Sequence, residues 1–164
     1  MAIIEYRGWK NNLLLTNGAV ELIATLDVGP RVISYRLPGG PNVLKNYQSM
    51  MGGTGEAEWQ IRGGHRFWLA PEDLTRTYFP DNRPVQLEEL GPRAARLIPP
   101  PETEYGIQKS MTLELGERGT RVTVTLTVKN IGTTPTELAP WGPTVMAPGG
   151  VEIIPLPPKK PHPG

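Results

Sequence analysis

TRVTVTLTVKN, residues Thr120 to Asn130, alternates without a break. Val122, Val124, Leu126 and Val128 fall on one side of an extended chain, and Arg121, Thr123, Thr125, Thr127 and Lys129 fall on the other. Side chains of a strand project to opposite faces in turn, so a period of two with β-branched residues predicts a strand with one buried side. The stretch before it, GIQKSMTLELGERG, places Ile107, Met111, Leu113 and Leu115 at alternate positions. It predicts an antiparallel partner, joined to the first through a short connection at Glu117-Arg118-Gly119. After Asn130, the run Ile131-Gly132-Thr133-Thr134-Pro135 breaks the pattern, and TELAPW (Thr136 to Trp141) begins another strand.

The same reading extends in both directions. NLLLTNGAVELIATLDVG holds two apolar runs joined at Asn17-Gly18, a strong hairpin signal. RVISYRL supplies a third strand that ends at Pro38-Gly39-Gly40, and VQLEELG with AARLIPP forms a pair around Gly91-Pro92. Helical periodicity is nearly absent; only Pro71 to Thr75 suits a turn or two of helix, with Pro71 at the first helical position. The 19 glycines and 19 prolines fall between apolar alternating segments, as tight connections between short strands require. The fold class expected is all-β, an antiparallel β-sandwich over residues 1–155. EIIPLPPKKPHPG at the end is too rich in proline to continue a central strand, and residues 156–164 are expected to form an extended tail.

Composition narrows the function classes. A chain of 164 residues, 38% hydrophobic, suits one domain with a core. A formal net charge of +1 with interspersed signs argues against nucleic acid or an anionic membrane as partner. No apolar run approaches the ~20 residues of a membrane span, and MAIIEYRGWK lacks the layout of a secretory signal. The chain has no cysteine, which removes disulfides, thiol catalysis and thiolate metal sites. A cytoplasmic protein without metal or cofactor is expected.

The densest chemistry lies in EWQIRGGHRFWLAPED, Glu58 to Asp73. Paired glycines let a backbone approach a ligand closely. His65 can donate and accept, Arg62 and Arg66 add forked donors, and Trp59, Phe67 and Trp68 offer flat apolar faces. Donors beside an aromatic platform suit a sugar, with hydroxyls at its rim and C–H groups on its face. The alternative is a structural loop, in which His65 and Arg66 pair with Glu58, Glu72 or Asp73 and the tryptophans enter the core. Glu56 and Glu58 would share a strand face, a spacing open to acid–base work but commoner as surface charge. A metal site would need more than His65, since His162 lies in the tail, and the glycines of Gly52 to Gly55 lack the lysine of a phosphate loop.

Three segments, taken together, resemble the galactose mutarotase-like (aldose 1-epimerase-like) superfamily, in particular a bacterial branch of it. VELIATLDVGPRVISYRLPGGPNVL looks like its opening strands, GGHRFWLAPED like its histidine-bearing segment, and RVTVTLTVKNIGTTPTELAPWGPTVMAPGG like its long strand and return strand. The resemblance spans most of residues 9–155 and implies a twisted β-sandwich with a sugar-binding concave face. Catalytic members use two histidines and a glutamate to move protons while the sugar ring opens. His65 stands where the first histidine is expected. The second follows a Pro-x-x-Leu-x-x-His pattern, and here Pro135 and Leu138 lead to Trp141 instead. Tryptophan can stack on a sugar but cannot transfer a proton at neutral pH. The glutamate lies in a C-terminal part of the family fold, so the chain is expected to correspond to the N-terminal part.

The reading that results is a carbohydrate-binding β-sandwich without efficient catalysis. His65 and Arg66 are its hydroxyl donors, Trp68 and Trp141 its platforms, Glu72 an acceptor or an orienter of Arg66, and His65 its one catalytic candidate. His65, Arg66, Trp68 and Trp141 are expected to converge on one concave surface. An active aldose 1-epimerase using Glu58, Glu72 or Asp73, and a structural domain that associates through a sheet edge, are the alternatives. The resemblance also implies that a mutarotase-like sandwich of this length leaves unpaired edges and apolar positions without a covering layer, so a homodimer is expected, with a smaller closed monomer as the alternative.

Overall fold

The computed structural model describes residues 1–156, 158 and 159. Its strands, in chain order, are β1 (Ala2–Tyr6), β2 (Trp9–Thr16), β3 (Glu21–Thr25), β4 (Arg31–Arg36), β5 (Gly64–Arg66), β6 (Trp68–Ala70), β7 (Gln86–Gly91), β8 (Ala94–Ile98), β9 (Ile107–Leu115), β10 (Val122–Asn130), β11 (Ala139–Trp141) and β12 (Thr144–Val145). The only helical pieces among the described residues are single 3₁₀ turns at Gln48–Met50 and Thr103–Tyr105. The chain is therefore all-β. Six strands form one sheet in the order β1-β2-β3-β4-β5-β12, four form a second in the order β10-β9-β8-β7, and β11 pairs with β6 in a third. Every pairing between strands is antiparallel.

The long alternating stretch forms β10, paired residue for residue with β9 from Val122 opposite Leu115 to Asn130 opposite Ile107. On β9 the inward row is fully buried: Ile107, Met111, Leu113 and Leu115, with Lys109 among them. The inward row of β10 is only half-buried, because β10 is the last strand of its sheet. TELAPW contributes only its last three residues to β11, and the Asn17-Gly18 hairpin is a four-residue loop rather than a two-residue turn, with Thr16 opposite Glu21. The Asn17 side chain explains the longer loop. Its Oδ1 accepts from the N–H groups of Ala19 and Val20, while its Nδ2 donates to the carbonyls of Gly116 and Gly119 in the β9–β10 connection. One asparagine thus closes a hairpin of one sheet and ties it to a hairpin of the other.

The sequence reading missed β1, and it took residues 64–70, which form β5 and β6, for a loop; at β1 the reason is local. Its connection to β2 is the pair Arg7-Gly8, both with positive φ (53° and 93°), the backbone that a two-residue hairpin requires. The expected helical turn at Pro71 to Thr75 is corrected as well. A single turn forms further on, where the Thr77 N–H donates to the Asp73 carbonyl and Asp73 Oδ1 accepts from the N–H groups of Thr75 and Arg76. The carboxylate, not the proline, starts this turn, because it satisfies donors that would otherwise be orphaned.

Two apolar clusters hold the sheets. The larger gathers Leu13, Leu15, Leu22 and Val32 from the six-stranded sheet with Ala95, Leu97, Met111 and Leu113 from the four-stranded sheet. Each of the larger of these side chains, taken out of water, contributes about 1.5–3 kcal/mol. The smaller cluster, Trp9, Ile23, Val28 and Ile33, lies on the other face of the six-stranded sheet, where Met51 packs on it. Trp9 donates its Nε1–H to the Gly53 carbonyl, which anchors the connection between β4 and β5 over that face. The expected tail, 156–164, falls largely on residues outside those described, His162 among them; Leu156 is exposed.

Candidate functional site

Two short strands carry the chemistry. Residues 64–70 pair with residues 139–145 in one register: Trp68 stands opposite Trp141, and His65 opposite Thr144. The side chains of this ribbon alternate between its faces. Phe67 and Leu69 enter the main core, so His65 turns to that side with them, while Arg66, Trp68 and Trp141 turn to the other. The structure therefore brings three of the four expected side chains together. His65 is not among them, because it is adjacent in sequence to Arg66 and adjacent residues of a strand face opposite ways.

On the outer face, Arg66 lies between two indoles. Its guanidinium carbon is 4.1 Å from the Trp68 ring centre and 4.7 Å from that of Trp59. Trp68 in turn meets Trp59 at 5.3 Å, Tyr78 at 4.8 Å and Trp141 at 5.2 Å between ring centres, each pair tilted or edge-on as aromatic quadrupoles prefer. Tyr78 donates its hydroxyl to Glu72 Oε1 at 2.5 Å. This bond raises the Tyr78 pKa, since ionising the phenol would forfeit it beside a carboxylate. Arg66 makes one long bond, Nη1 to the Ile61 carbonyl at 3.4 Å, and no ion pair. Loss of hydration, with the nearby Arg31 charge second, pushes its pKa down to about 10, so it stays cationic at neutral pH. Trp141 completes the edge of the cluster at 37% exposure.

The structural-loop alternative holds in part: Trp68 is buried at 8% exposure and Arg66 at 7%, but the expected ion pairs do not form. Neither His65 nor Arg66 pairs with Glu58, Glu72 or Asp73. Glu72 belongs to Tyr78, and Asp73 to its own turn, whose backbone N–H of Arg76, then the Thr75 hydroxyl, hold its carboxyl below the usual range. Glu56 and Glu58 lie outside any strand. Glu56 instead pairs with the fully buried Arg62 at 2.7 Å, and Arg62 also donates to Asn82 and to the Met50 and Gly53 carbonyls.

His65 faces the gap between the sheets, in an apolar cleft of about 270 Å³ shared with Leu22, Val32, Leu44, Val122 and Val124. Its Nδ1 is 2.8 Å from Thr144 Oγ1, and its enclosed Nε2 has no partner among the described residues. Burial first, and the Arg31 charge second, lower its pKa and favour the neutral ring.

A larger cleft of about 450 Å³ lies elsewhere, walled by Phe67, Phe79 and the prolines Pro99 to Pro101. Three of its four carboxylates are committed to partners, Asp81 to the buried Arg31 at 2.8 Å, Glu56 to Arg62, and Glu102 to Lys109, while the exposed Glu104 joins no ion pair among the described residues. Two of the oxygens left over, Asp81 Oδ1 and Glu102 Oε2, are sealed from the surface, so no ligand in the cleft reaches them without movement. Ion pairs clamp its floor, and its exposed polar side chains are Arg83, Thr103 and Glu104. Among the described residues no three His, Asp or Glu side chains gather as metal ligands.

Trp59 and Tyr78 are the members of the outer cluster that the sequence-based site omitted. Trp59 stood in the stretch that drew attention, but nothing in the period of Leu74 to Phe79 signals that a turn at Asp73 returns Tyr78 to Trp68. Compared with family models, curated proteins and solved structures, the chain matches none.

Proposed function

We propose that the chain is a carbohydrate-binding β-sandwich domain, of the mutarotase-like kind that its sequence resembles, and that it binds sugar without efficient catalysis. The observation that carries this is the outer cluster: an indole at 37% exposure, Trp141, braced edge-on by Trp68 beside a guanidinium and a hydrogen-bonded carboxylate. A pyranose needs an apolar face for its C–H groups and a rim of donors and acceptors for its hydroxyls. Trp141 supplies the face, Arg66 the donors, and Glu72 with Tyr78 the acceptors. Bracing matters because a ring already fixed by its neighbours loses little freedom on binding. Epimerase chemistry draws no support from His65, whose imidazole turns inward, away from this platform.

Ligand-observed NMR across common monosaccharides tests the reading. Sugar contact in the unsubstituted chain, weakened about tenfold or more by Trp141→Ala with the unfolding transition retained, is the expected result. No sugar contact, or contact indifferent to Trp141→Ala and Glu72→Gln together, overturns it. In polarimetry, equilibration of sugar anomers at the uncatalysed rate is expected; acceleration that is lost in His65→Ala would return the chain to the epimerases.

A further inference from the structure

Val151 to Leu156 belongs to no strand and lies on the surface, with Val151 91% and Ile153 86% exposed and Ile154 and Leu156 also exposed. Four large apolar side chains in six residues are a costly surface unless something covers them. The same chain carries a matching deficiency. β10 is nine residues long, free of proline and of bulges, and the last strand of its sheet. Its outer row of N–H and C=O groups is a template for another strand. Its apolar row, which includes Val128, is only half-covered.

We infer that Val151–Ile154 of one copy adds as an antiparallel strand to β10 of a second copy, and the reverse, in a two-fold dimer. Charge selects both the occupant and the register. The one charged residue of the 151–156 segment is Glu152, and the one charged residue of β10 is Lys129. Setting Glu152 opposite Lys129 places Ile153 opposite Val128 and Ile154 opposite Thr127. Val151 and Ile153, the most exposed pair, then turn to the apolar side of the sheet and Glu152 to the threonine side. Pro155 ends the added strand, since it has no N–H to give. A two-fold axis repeats the pairing in both copies, each segment covering residues 127–130 of the other copy's β10, as a self-complementary interface must. This inference is independent of sugar binding.

Sedimentation equilibrium of the full chain across the micromolar range tests it. The expected result is a concentration-dependent dimer. Glu152→Lys or Lys129→Glu alone places like charges opposite one another twice per dimer and weakens association by about tenfold or more. Both substitutions in one chain restore the opposite charges and recover the dimer. These residues are exposed, so circular dichroism should stay unchanged in every variant. A monomer throughout, or a dimer indifferent to the single reversals, overturns the inference. Failure of the doubly reversed chain to recover overturns the register. Ile153→Asp gives a check free of charge pairing: it should yield a monomer, and a persistent dimer counts against the apolar contact.

Discussion

Arg66 is held by faces rather than by opposite charges. Its guanidinium plane lies against Trp59 and Trp68 with no carboxylate partner, a role that depends on flatness as much as on charge. Arg66→Lys should therefore destabilise the domain by about 1–2 kcal/mol although the charge is kept, which a urea titration would read. A substitution without effect would show that stacking contributes nothing here. His65 offers a pH test at the same scale. Its folded pKa lies below the ordinary 6.5, so the unfolded chain takes up the proton more readily. The stability it protects is whole above 6.5 and falls as pH drops through the folded value. The gap in urea midpoint between about pH 7.5 and about pH 5 should be smaller in His65→Gln than in the unsubstituted chain; an equal gap would mean that other groups carry the acid response.

At the scale of the element, the paired glycines ahead of His65 serve the backbone, not a ligand. A Cβ on Gly63 would stand 2.0 Å from the Lys45 carbonyl oxygen, and one on Gly64 2.2 Å from that of Val32, both at positive φ. The glycines let β5 enter between β4 and residue 45, which sets the alternation that parts His65 from Arg66. Gly64→Ala should cost about 3 kcal/mol or more, whereas Gly91→Ala, with nothing within 4 Å of its Cβ, should be nearly neutral; thermal melts of the two variants compare them directly. On β9, Lys109 interrupts an apolar row that is otherwise aliphatic, and its charge is met by the equally buried Glu102. Lys109→Met alone should cost about 3–5 kcal/mol, because it strands a buried carboxylate, and adding Glu102→Leu should recover most of that loss. A double variant no better than the single would argue that the pair's own attraction dominates.

For the whole molecule, the antiparallel all-β character was legible in the sequence because a period of two needs no distant partner to be recognised. The Thr120 to Asn130 alternation, the Asn17-Gly18 hairpin and the Gly91-Pro92 turn all mark local backbone preferences, and each reappears as a strand pair or its connection. The types of side chain suited to a sugar were legible too, since stacking and hydrogen-bonding capacity belong to the residue. Their grouping was not. Whether Trp141 meets Trp68 depends on the register of residues 139–145 against 64–70, some 75 residues apart, and a shift of one position would turn Trp141 to the opposite face. That register follows from the core positions of Phe67 and Leu69 and from the bend at Gly63-Gly64, which are packing constraints with no local period. The same holds for the arginines. Arg62 read as a donor in the candidate binding stretch and nothing local marks Arg31, yet both are fully buried because Asp81, Glu56 and Asn82 arrive from other segments to meet them. The sequence by itself determined the strands regular enough to show a period of two, such as β9 and β10; only the tertiary structure made strands of residues 64–70 and decided which faces meet, because burial is a property of the partners a residue acquires.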